Sequence, residues 1–421
     1  MRKKKVRKTV IIVLSLFLAL IALERLYNSS AVFQTTAEDA SYYGIIDAKL
    51  TTKEKLKDFD YMYNLLKDNF PFFETNKKLH GIDWLANKNK YKRIIKNTKN
   101  DAEYFVALSN IVKDLNDGHT YVMTGERYKH FYKHYYYYWH EVLKNERSMA
   151  RYDFEWFDGD IEDIELESNF LFNDGPVLET KTLIDNELAY MKVKAMSIYH
   201  VAEDYPMIKD FLIGIEDYDK LIIDVRGNGG GQNIYWKNIV GLLTDRGYTY
   251  MYYSLYKQNA KTNRDFYKIP GLKTINNIDE KVLEKLSPDI KEEFSFFRPH
   301  VIRVNAGNIW GEIKFKGKVY LLVDRNVGSA ADNFAAFARD TGFATLVGEA
   351  TRGTRANAHI PMVSLPISGF IVNYSRELVL NADGTINMEM KTTPHIIVDD
   401  STYNEDFRKD KCIQAVIEDK I

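Results

Sequence analysis

The sequence contains a single cysteine, Cys412, among its 421 residues. One thiol cannot form a disulfide within the chain, and it cannot supply a metal site that needs several cysteines. No motif of a cysteine nucleophile surrounds it either, so we do not expect the chemistry of this chain to depend on sulfur.

The sequence also lacks an excess of one charge. It has 58 lysines and arginines against 59 aspartates and glutamates, which gives a net charge of −1. No overall field draws such a chain to nucleic acid or to anionic lipid, and its aromatic residues form no base-stacking motif beside a basic groove. The 45% hydrophobic and 28% charged residues are typical of a folded globular protein with room for more than one domain. We therefore expect no nucleic-acid partner.

The N-terminus departs from this balance. Six of the first eight residues are lysine or arginine, and the uncharged run VIIVLSLFLALIAL follows from Val10 to Leu23. A basic segment before an apolar segment is typical of an export signal. Residues 1–30 are therefore predicted to be a signal peptide or a membrane anchor.

The sequence does not decide whether this segment is cleaved or retained. The apolar run is shorter than the roughly 20 residues that span a bilayer. However, no small residues mark a cleavage site after it, and no cysteine is present there for lipidation. We favour a retained single-pass anchor in the cell membrane with the rest of the chain outside the cytoplasm, whereas cleavage would make the protein secreted. An exported protein without disulfides indicates a bacterial envelope.

A small helical domain is predicted over residues 51–118, after a linker at 31–50. Thr51 and Glu54 form a capping box, and apolar residues behind it recur on one helical face until Pro71 ends the pattern. Two further helices are expected, over 82–97 and from residue 100 onward.

Residues 119–185 are predicted to form an aromatic-rich connecting β region. It contains the run YYYYWH at 135–140, for which packing is the favoured role and a ligand-binding wall is the alternative. The acidic stretch at 158–167 lacks the glycine and the glutamate that an EF-hand needs at its sixth and twelfth positions. We expect an exposed strand there and no metal site.

Strands and helices alternate in the remaining part, residues 186–421, which predicts α/β architecture. The apolar run at 220–225 is typical of a strand that is covered on both faces. The other predicted elements are strands at 188–193, 318–324 and 344–348, helices at 201–216, from 233 and at 330–340, and a hairpin over 371–390.

Ser329 lies between a predicted buried strand and the first turn of a helix, in the stretch VGSAADNFAAFA. The first amides of a helix have no partner within the helix and carry partial positive charge, so they can stabilise an oxyanion. A serine at this point is well placed as a nucleophile, with the amide of Ala330 as one donor. The alternative is that Ser329 only caps the helix.

The glycine-rich turn RGNGGG at 226–231 follows another buried strand. It lacks the lysine of a P-loop and the third glycine of a dinucleotide-binding fingerprint. Two interpretations remain, an oxyanion donor or simply a tight turn.

His119 is the candidate base among nine histidines. A serine nucleophile needs a base that titrates near neutral pH, and histidine is the usual one. His119 is distinguished by its place in a glycine-containing loop at the end of a predicted helix, beside Asp117 and Thr120.

Taken together, four motifs resemble those of the S41 family of serine peptidases, which includes C-terminal-processing and tricorn-type enzymes. The motifs are LNDGHT at 115–120, LIIDVRGNGGG at 221–231, GSAADNF at 328–334 and VGEATRG at 347–353. The resemblance covers residues 51–415. It implies an α/β fold in which a ClpP/crotonase-like core follows an N-terminal helical domain and an N-terminal transmembrane or signal segment.

The resemblance also implies roles for residues that match the motifs. Ser329 falls on the nucleophile, His119 on the base of the tricorn-like branch, and Glu389 on the glutamate that supports this base. The oxyanion hole falls on the backbone amides of Ala330 and of Gly229 or Gly230.

Some positions depart from the family pattern. Thr354 and Arg355 stand where the Ser–Lys branch has its lysine, and arginine cannot act as a base because its pKa exceeds about 12. Gly118 replaces the serine that precedes the histidine, and a Pro-His pair at 394–395 replaces Pro-Asp. The interval after His119 is short and lacks the loop typical of a PDZ domain, so none is expected.

The sequence therefore predicts a membrane-tethered, extracytoplasmic serine endopeptidase that acts on a peptide or protein and needs no metal or cofactor. Two alternatives remain. One is a ligand-binding protein without activity on the same fold, with the aromatic run at 135–140 as the ligand wall. The other is a dedicated resistance peptidase that cleaves one antimicrobial peptide.

Overall fold

The computed structural model describes residues 44–153, 176–198, 200–257, 269–307, 311–313, 315–355 and 360–420, leaving aside the side chains of 134–140. The predicted signal or anchor at 1–30 and the acidic stretch at 158–167 lie outside these residues. Among the helices within the described ranges, none combines the length and the apolar composition needed to cross a membrane.

The N-terminal region is helical, as predicted. Its first helix follows the capping box, in which the Thr51 hydroxyl accepts the Glu54 amide and the Glu54 carboxylate accepts the Thr51 amide. A second helix was not predicted, and the helix expected over 82–97 is shorter in the structure. The four helices are α1 (Thr52–Asn69), α2 (Phe73–His80), α3 (Lys88–Lys96) and α4 (Asp101–Lys113).

The prediction of a β region over 119–185 is wrong for much of its described part. Strand β1 (Tyr121–Val122) is followed by helices α5 (Gly125–Leu143) and α6 (Glu146–Arg151). Aromatic residues favour strands in general, but Tyr128 and Tyr132 are one helical turn apart and are both buried in the N-terminal core. Burial of this face outweighs the local preference.

The α/β prediction for the C-terminal part is confirmed. A six-stranded sheet has the order β13-β9-β8-β4-β3-β2, in which β2 is antiparallel to β3 and the other pairs are parallel. Its strands are β2 (Leu178–Ile184), β3 (Leu188–Val193), β4 (Lys220–Asp224), β8 (Lys318–Val323), β9 (Thr345–Gly348) and β13 (Ile396–Ile397). The helices along it are α7 (Val201–Gly214), α8 (Asn233–Leu243), α11 (Ser329–Thr341) and α13 (Lys411–Glu418).

Both faces of this sheet are buried because its residues alternate between two cores. Leu221 and Ile223 of β4 face a core that includes α7, α8 and α11. Ile222, between them, faces a second core that includes Cys412 of α13. The sheet is therefore a rigid middle layer, and the loops at the ends of its strands carry the candidate site.

Two antiparallel sheets complete the fold. One has the order β1-β11-β10 and the other β12-β5-β7-β6. Their remaining elements are β5 (Tyr248–Lys257), β6 (Lys273–Thr274), α9 (Glu280–Lys285), α10 (Pro288–Glu293), β7 (Phe294–Val304), β10 (Met362–Ser364), β11 (Ile371–Asn373), β12 (Leu378–Leu380) and α12 (Asn387–Met390), with a 3₁₀ turn at Ile275–Asn277.

The predicted hairpin over 371–390 is wrong. The segment predicted as its first strand divides between two sheets, since β11 pairs with β1 and β10 whereas β12 pairs with β5. The turn itself forms, because the amide of Asn381 donates to the carbonyl of Thr385 at 2.8 Å. The chain then enters helix α12 instead of a second strand.

Candidate active site

Ser329 is the first residue of α11, directly after the connection from β8. Its φ is +49°, in a region that residues with a Cβ seldom occupy and that is often found at functional sites. The N-cap is Gly328 and no side chain caps the helix. The alternative role of Ser329 as a helix cap is therefore wrong.

Neighbouring residues hold the turn at Ser329 in place. The amide of Ser329 donates to the carbonyl of Thr354 at 3.1 Å, and the amide of Arg352 donates to the carbonyl of Val327 at 2.9 Å. Behind the turn, Phe334 of α11 stacks on Trp236 of α8. The position of Ser329 is thus fixed by packing on one side and by the 351–355 segment on the other.

Gly230 lies against the serine so closely that no side chain fits. A Cβ placed on Gly230 would be 2.6 Å from the Cβ of Ser329 and 2.8 Å from the nitrogen of Ala330. The φ of Gly230 is +111°, which also favours glycine. The two turns that the sequence analysis singled out therefore meet in the structure.

Asn228 joins these turns and was missed in the sequence analysis. Its buried side chain accepts the amide of Gly230 at 2.8 Å and donates to the carbonyl of Val193 at 2.9 Å. Its carbonyl accepts the amide of Gly328 at 3.1 Å. The only sequence signal for this role was its position inside the glycine-rich turn.

The contact with Asn228 occupies the Gly230 amide and favours Gly229 as the second oxyanion donor. Within the described residues, the amides of Gly229 and Ala330 donate to no acceptor. Both belong to the turns that meet at Ser329. They are available to an oxygen that develops negative charge there.

Arg226, at the start of the glycine-rich turn, is structural. It is buried between two carboxylates, with Nη2 at 2.7 Å from Asp224 and 2.8 Å from Asp410. This pairing joins β4 to the cap of α13, because Asp410 also accepts the amide of Cys412. Arg226 is therefore not free to bind a substrate.

His119 lies in the loop between α4 and β1. Its Nδ1 is 4.0 Å from Oδ1 of Asp117, and the side chains are 16% and 2% exposed. The other carboxylate oxygen of Asp117 accepts the hydroxyls of Thr120 and Ser375, at 2.5 and 2.6 Å. A fixed carboxylate thus lies on the Nδ1 side of the imidazole, which leaves Nε2 on the opposite side of the ring.

The loop that holds His119 (the histidine loop) and the turn at Ser329 (the serine turn) lie close to each other, with the Arg352 side chain between them. Nη1 of Arg352 would be 3.5 Å from a Cβ on Gly118, and its Cδ would be 3.8 Å from a Cβ on Gly328. Among the hydrogen bonds of the described residues, none joins His119 to Ser329.

Glu389, the predicted support of the histidine, contacts other residues. Its carboxylate accepts the hydroxyl of Thr75 at 3.2 Å and pairs with Lys78, both on α2. It lines a cavity between α2, α10 and α12. These contacts favour Asp117 over Glu389 as the carboxylate nearest to His119, and the role of Glu389 stays a prediction.

Arg355 fills the region where the Ser–Lys branch would have its lysine. It is buried, and its guanidinium donates to the hydroxyl of Tyr250 at 2.7 Å and to the side chain of Asn381. Nearby, burial raises the pKa of Asp332, which accepts the hydroxyls of Thr351 and Thr392 at 2.8 and 2.7 Å. Asp332 belongs to the first turn of α11, so these two hydrogen bonds hold that turn against Thr351 and Thr392.

The sequence matches two family descriptions. The model of peptidase family S41 matches residues 187–398, which is half of the chain. The model of the tricorn protease C1 domain matches residues 51–113. A search of the curated proteins found no match.

Solved structures share the fold at low sequence identity. A protein from Parabacteroides merdae, classed as a peptidase, is 20% identical, with a TM-score of 0.54 over 86% of this chain and 95% of that one. Mature CPAF in complex with lactacystin is 13% identical, with a TM-score of 0.52 over 82% of this chain and 94% of that one.

Proposed function

The chain belongs to peptidase family S41 and is a serine peptidase, and we propose that it cleaves peptide bonds with Ser329 as the nucleophile and His119 as the general base. The observation that carries this proposal is the backbone of Ser329. A non-glycine residue with φ of +49° opens a helix there, against a glycine that admits no side chain. Such strain is expected where a hydroxyl has to be presented to a substrate.

The proposed reaction is acyl transfer. His119 accepts the proton of the Ser329 hydroxyl while Oγ attacks the peptide carbonyl. The tetrahedral oxyanion is stabilised by the amides of Ala330 and Gly229. The C–N bond then breaks as the imidazolium returns its proton to the leaving amine, and water releases the acyl group from Oγ by the same steps in reverse order.

Asp117 is proposed to position the histidine. Its carboxylate is almost fully buried and is held by two hydroxyls, so it favours a proton on the facing nitrogen, Nδ1, and stabilises the imidazolium. Nε2 is then the nitrogen that accepts the serine proton. The hydrogen bond between His119 and Ser329 is expected to tighten when substrate binds.

We also propose that the peptidase acts outside the cytoplasm, attached to the membrane by residues 1–30. The basis is the basic segment followed by the apolar run from Val10 to Leu23. Accessibility of the core to added protease in intact cells, compared with lysed cells, would test this. Protection in intact cells would contradict it.

The catalytic proposal is tested by hydrolysis of unfolded protein and of a mixed peptide pool by the full chain in detergent. Ser329→Ala and His119→Ala are expected to lose at least about 100-fold in kcat/KM. Ser295→Ala and His200→Ala replace the same residue types in β7 and before α7, and they are expected to keep full activity. Undiminished hydrolysis by Ser329→Ala, with circular dichroism unchanged, would overturn the proposal.

A further inference from the structure

A cleft of about 740 Å³ lies between the loop that holds His119 and the segment at 352–354. One wall is the histidine loop with Asp117, Gly118 and Thr120, and the facing wall carries Arg352, Thr354 and Lys391. We call it the arginine cleft. It is large enough for one or two residues of an extended peptide.

The arginine cleft is directly connected to the serine turn. Thr354 lines the cleft, and its carbonyl accepts the amide of Ser329 at 3.1 Å. The Arg352 side chain passes close to Gly328 on its way into the cleft, with Cδ at 3.8 Å from the position of a Cβ there. The cleft and the turn at Ser329 therefore share the 352–354 segment.

The charges that line the cleft are unbalanced. Lys113, Arg352 and Lys391 are cationic, and Asp117 is the one carboxylate among the residues that line it. Asp117 is already bound by the hydroxyls of Thr120 and Ser375. No carboxylate of the described part of the chain lies within 4.0 Å of the three cations.

Three other arginines are paired with carboxylates, unlike Arg352. Arg226 and Arg151 are buried in ion pairs with aspartates, and Arg325 is paired with Glu349. Arg352 is exposed, and its guanidinium borders the loop that holds His119. A guanidinium that pairs with no carboxylate of the described residues and faces a cleft is suited to bind a planar anion with two parallel hydrogen bonds.

We propose that the arginine cleft binds an acidic side chain, glutamate or aspartate, of the peptide substrate beside the scissile bond. Arg352 is the specificity-determining residue, and Lys391 and Lys113 add positive charge further along the cleft. This inference rests on the proposed function of Ser329. It names a substrate class for that site, namely peptides with a carboxylate next to the bond that is cleaved.

The test uses the full chain in detergent with matched peptides that differ only in Glu against Gln, or Asp against Asn, at each position near the cleaved bond. We expect kcat/KM to be roughly 10- to 100-fold higher for the acidic member at one position. A second set with amidated C-termini separates a side-chain carboxylate from the terminal one. Dependence on the free C-terminus alone would overturn the assignment.

Reversal of charge tests the residue itself. Arg352→Glu is expected to abolish the preference for the acidic peptide and to favour the matched lysine peptide. Arg408→Glu, an exposed arginine near the C-terminus, makes the same charge change away from the cleft and is expected to keep the preference. If Arg352→Glu does not fold by circular dichroism, Lys391→Glu is expected to reduce the preference in its place.

The outcomes separate this inference from the proposed function. Equal hydrolysis of acidic and neutral peptides by the wild type would overturn the acidic preference and leave the peptidase intact. No hydrolysis of any peptide would overturn both. An acidic preference that survives both Arg352→Glu and Lys391→Glu would also overturn the assignment to this cleft.

Discussion

Replacement of Gly230 by alanine is the perturbation that the geometry defines best. The added Cβ would be 2.6 Å from the Cβ of Ser329 and 2.8 Å from both the nitrogen of Ala330 and the carbonyl oxygen of Gly328. Two of these three neighbours are backbone atoms that cannot rotate away. The glycine also has φ of +111°, where alanine is strained.

The expected cost follows from these distances. To reach an ordinary contact of 3.4 Å from the Cβ of Ser329, the two turns must separate by about 0.8 Å. A displacement of about 1 Å at a catalytic group can cost roughly 100-fold in rate. Overpacking adds about 1–3 kcal/mol of destabilisation, and the unfavourable φ adds about 1–2 kcal/mol.

Substitutions at two other glycines separate the effect of the steric clash from the effect of the backbone conformation. Gly227 has φ of +78° but open space around its Cβ position, so Gly227→Ala measures backbone strain without a clash. Gly214, in α7, also has open space and no left-handed φ, so Gly214→Ala has neither. We expect about 1–2 kcal/mol of destabilisation for the former and little change for the latter.

The assay is peptide hydrolysis together with urea unfolding of the three variants. Gly230→Ala is expected to lose roughly 100-fold in kcat/KM and more stability than Gly227→Ala. Full activity in folded Gly230→Ala would refute the claim that the close approach of this turn positions Ser329.

Two predictions concern ionisable groups. Asp117→Asn is expected to lower kcat roughly 10- to 100-fold, whereas Ser375→Ala, which keeps the carboxylate, is expected to retain more of the activity. Full activity in folded Asp117→Asn would contradict the positioning role. Burial lowers the pKa of His300 to about 4, against the opposing charge of Glu377. The unfolded histidine titrates near 6.5, so the unfolded state binds the proton first and stability is lost as pH falls from 6.5 towards 4, by about 2 kcal/mol at pH 5. Urea unfolding near pH 7 and pH 5 measures this loss of stability, and His300→Asn is expected to make it smaller. An equal loss in His300→Asn would contradict the assignment of the pH dependence to His300.

The elements with a clear apolar pattern or a capping signal could be predicted from the sequence. The run at 220–225 became a buried strand because its apolar residues are continuous, and the first helix begins at its capping box as expected. The turns at 226–231 and around Ser329 were correctly placed at strand ends. Parallel strands bring such ends to one edge of a sheet, which is why the two turns meet.

Other features depend on tertiary contacts that the sequence does not display. Helix α5 forms in an aromatic segment because the fold buries one of its faces, and residues 387–390 become helical although the preceding turn is typical of a hairpin. The contact of Asn228 with the Gly230 amide, and that of Glu389 with Lys78, join residues whose spacing carries no such signal. Arg352 matched a family motif, but only the structure shows that no carboxylate of the described residues pairs with it.

If Ser329 is the nucleophile, its hydroxyl is activated and reacts with electrophilic probes. The most direct measurement is peptide mapping by mass spectrometry after reaction of the full chain with a fluorophosphonate, which labels activated serines covalently. We expect one adduct, on Ser329, which is lost in His119→Ala and kept in His200→Ala. An adduct on another serine, or an undiminished adduct on Ser329 in His119→Ala, would contradict it.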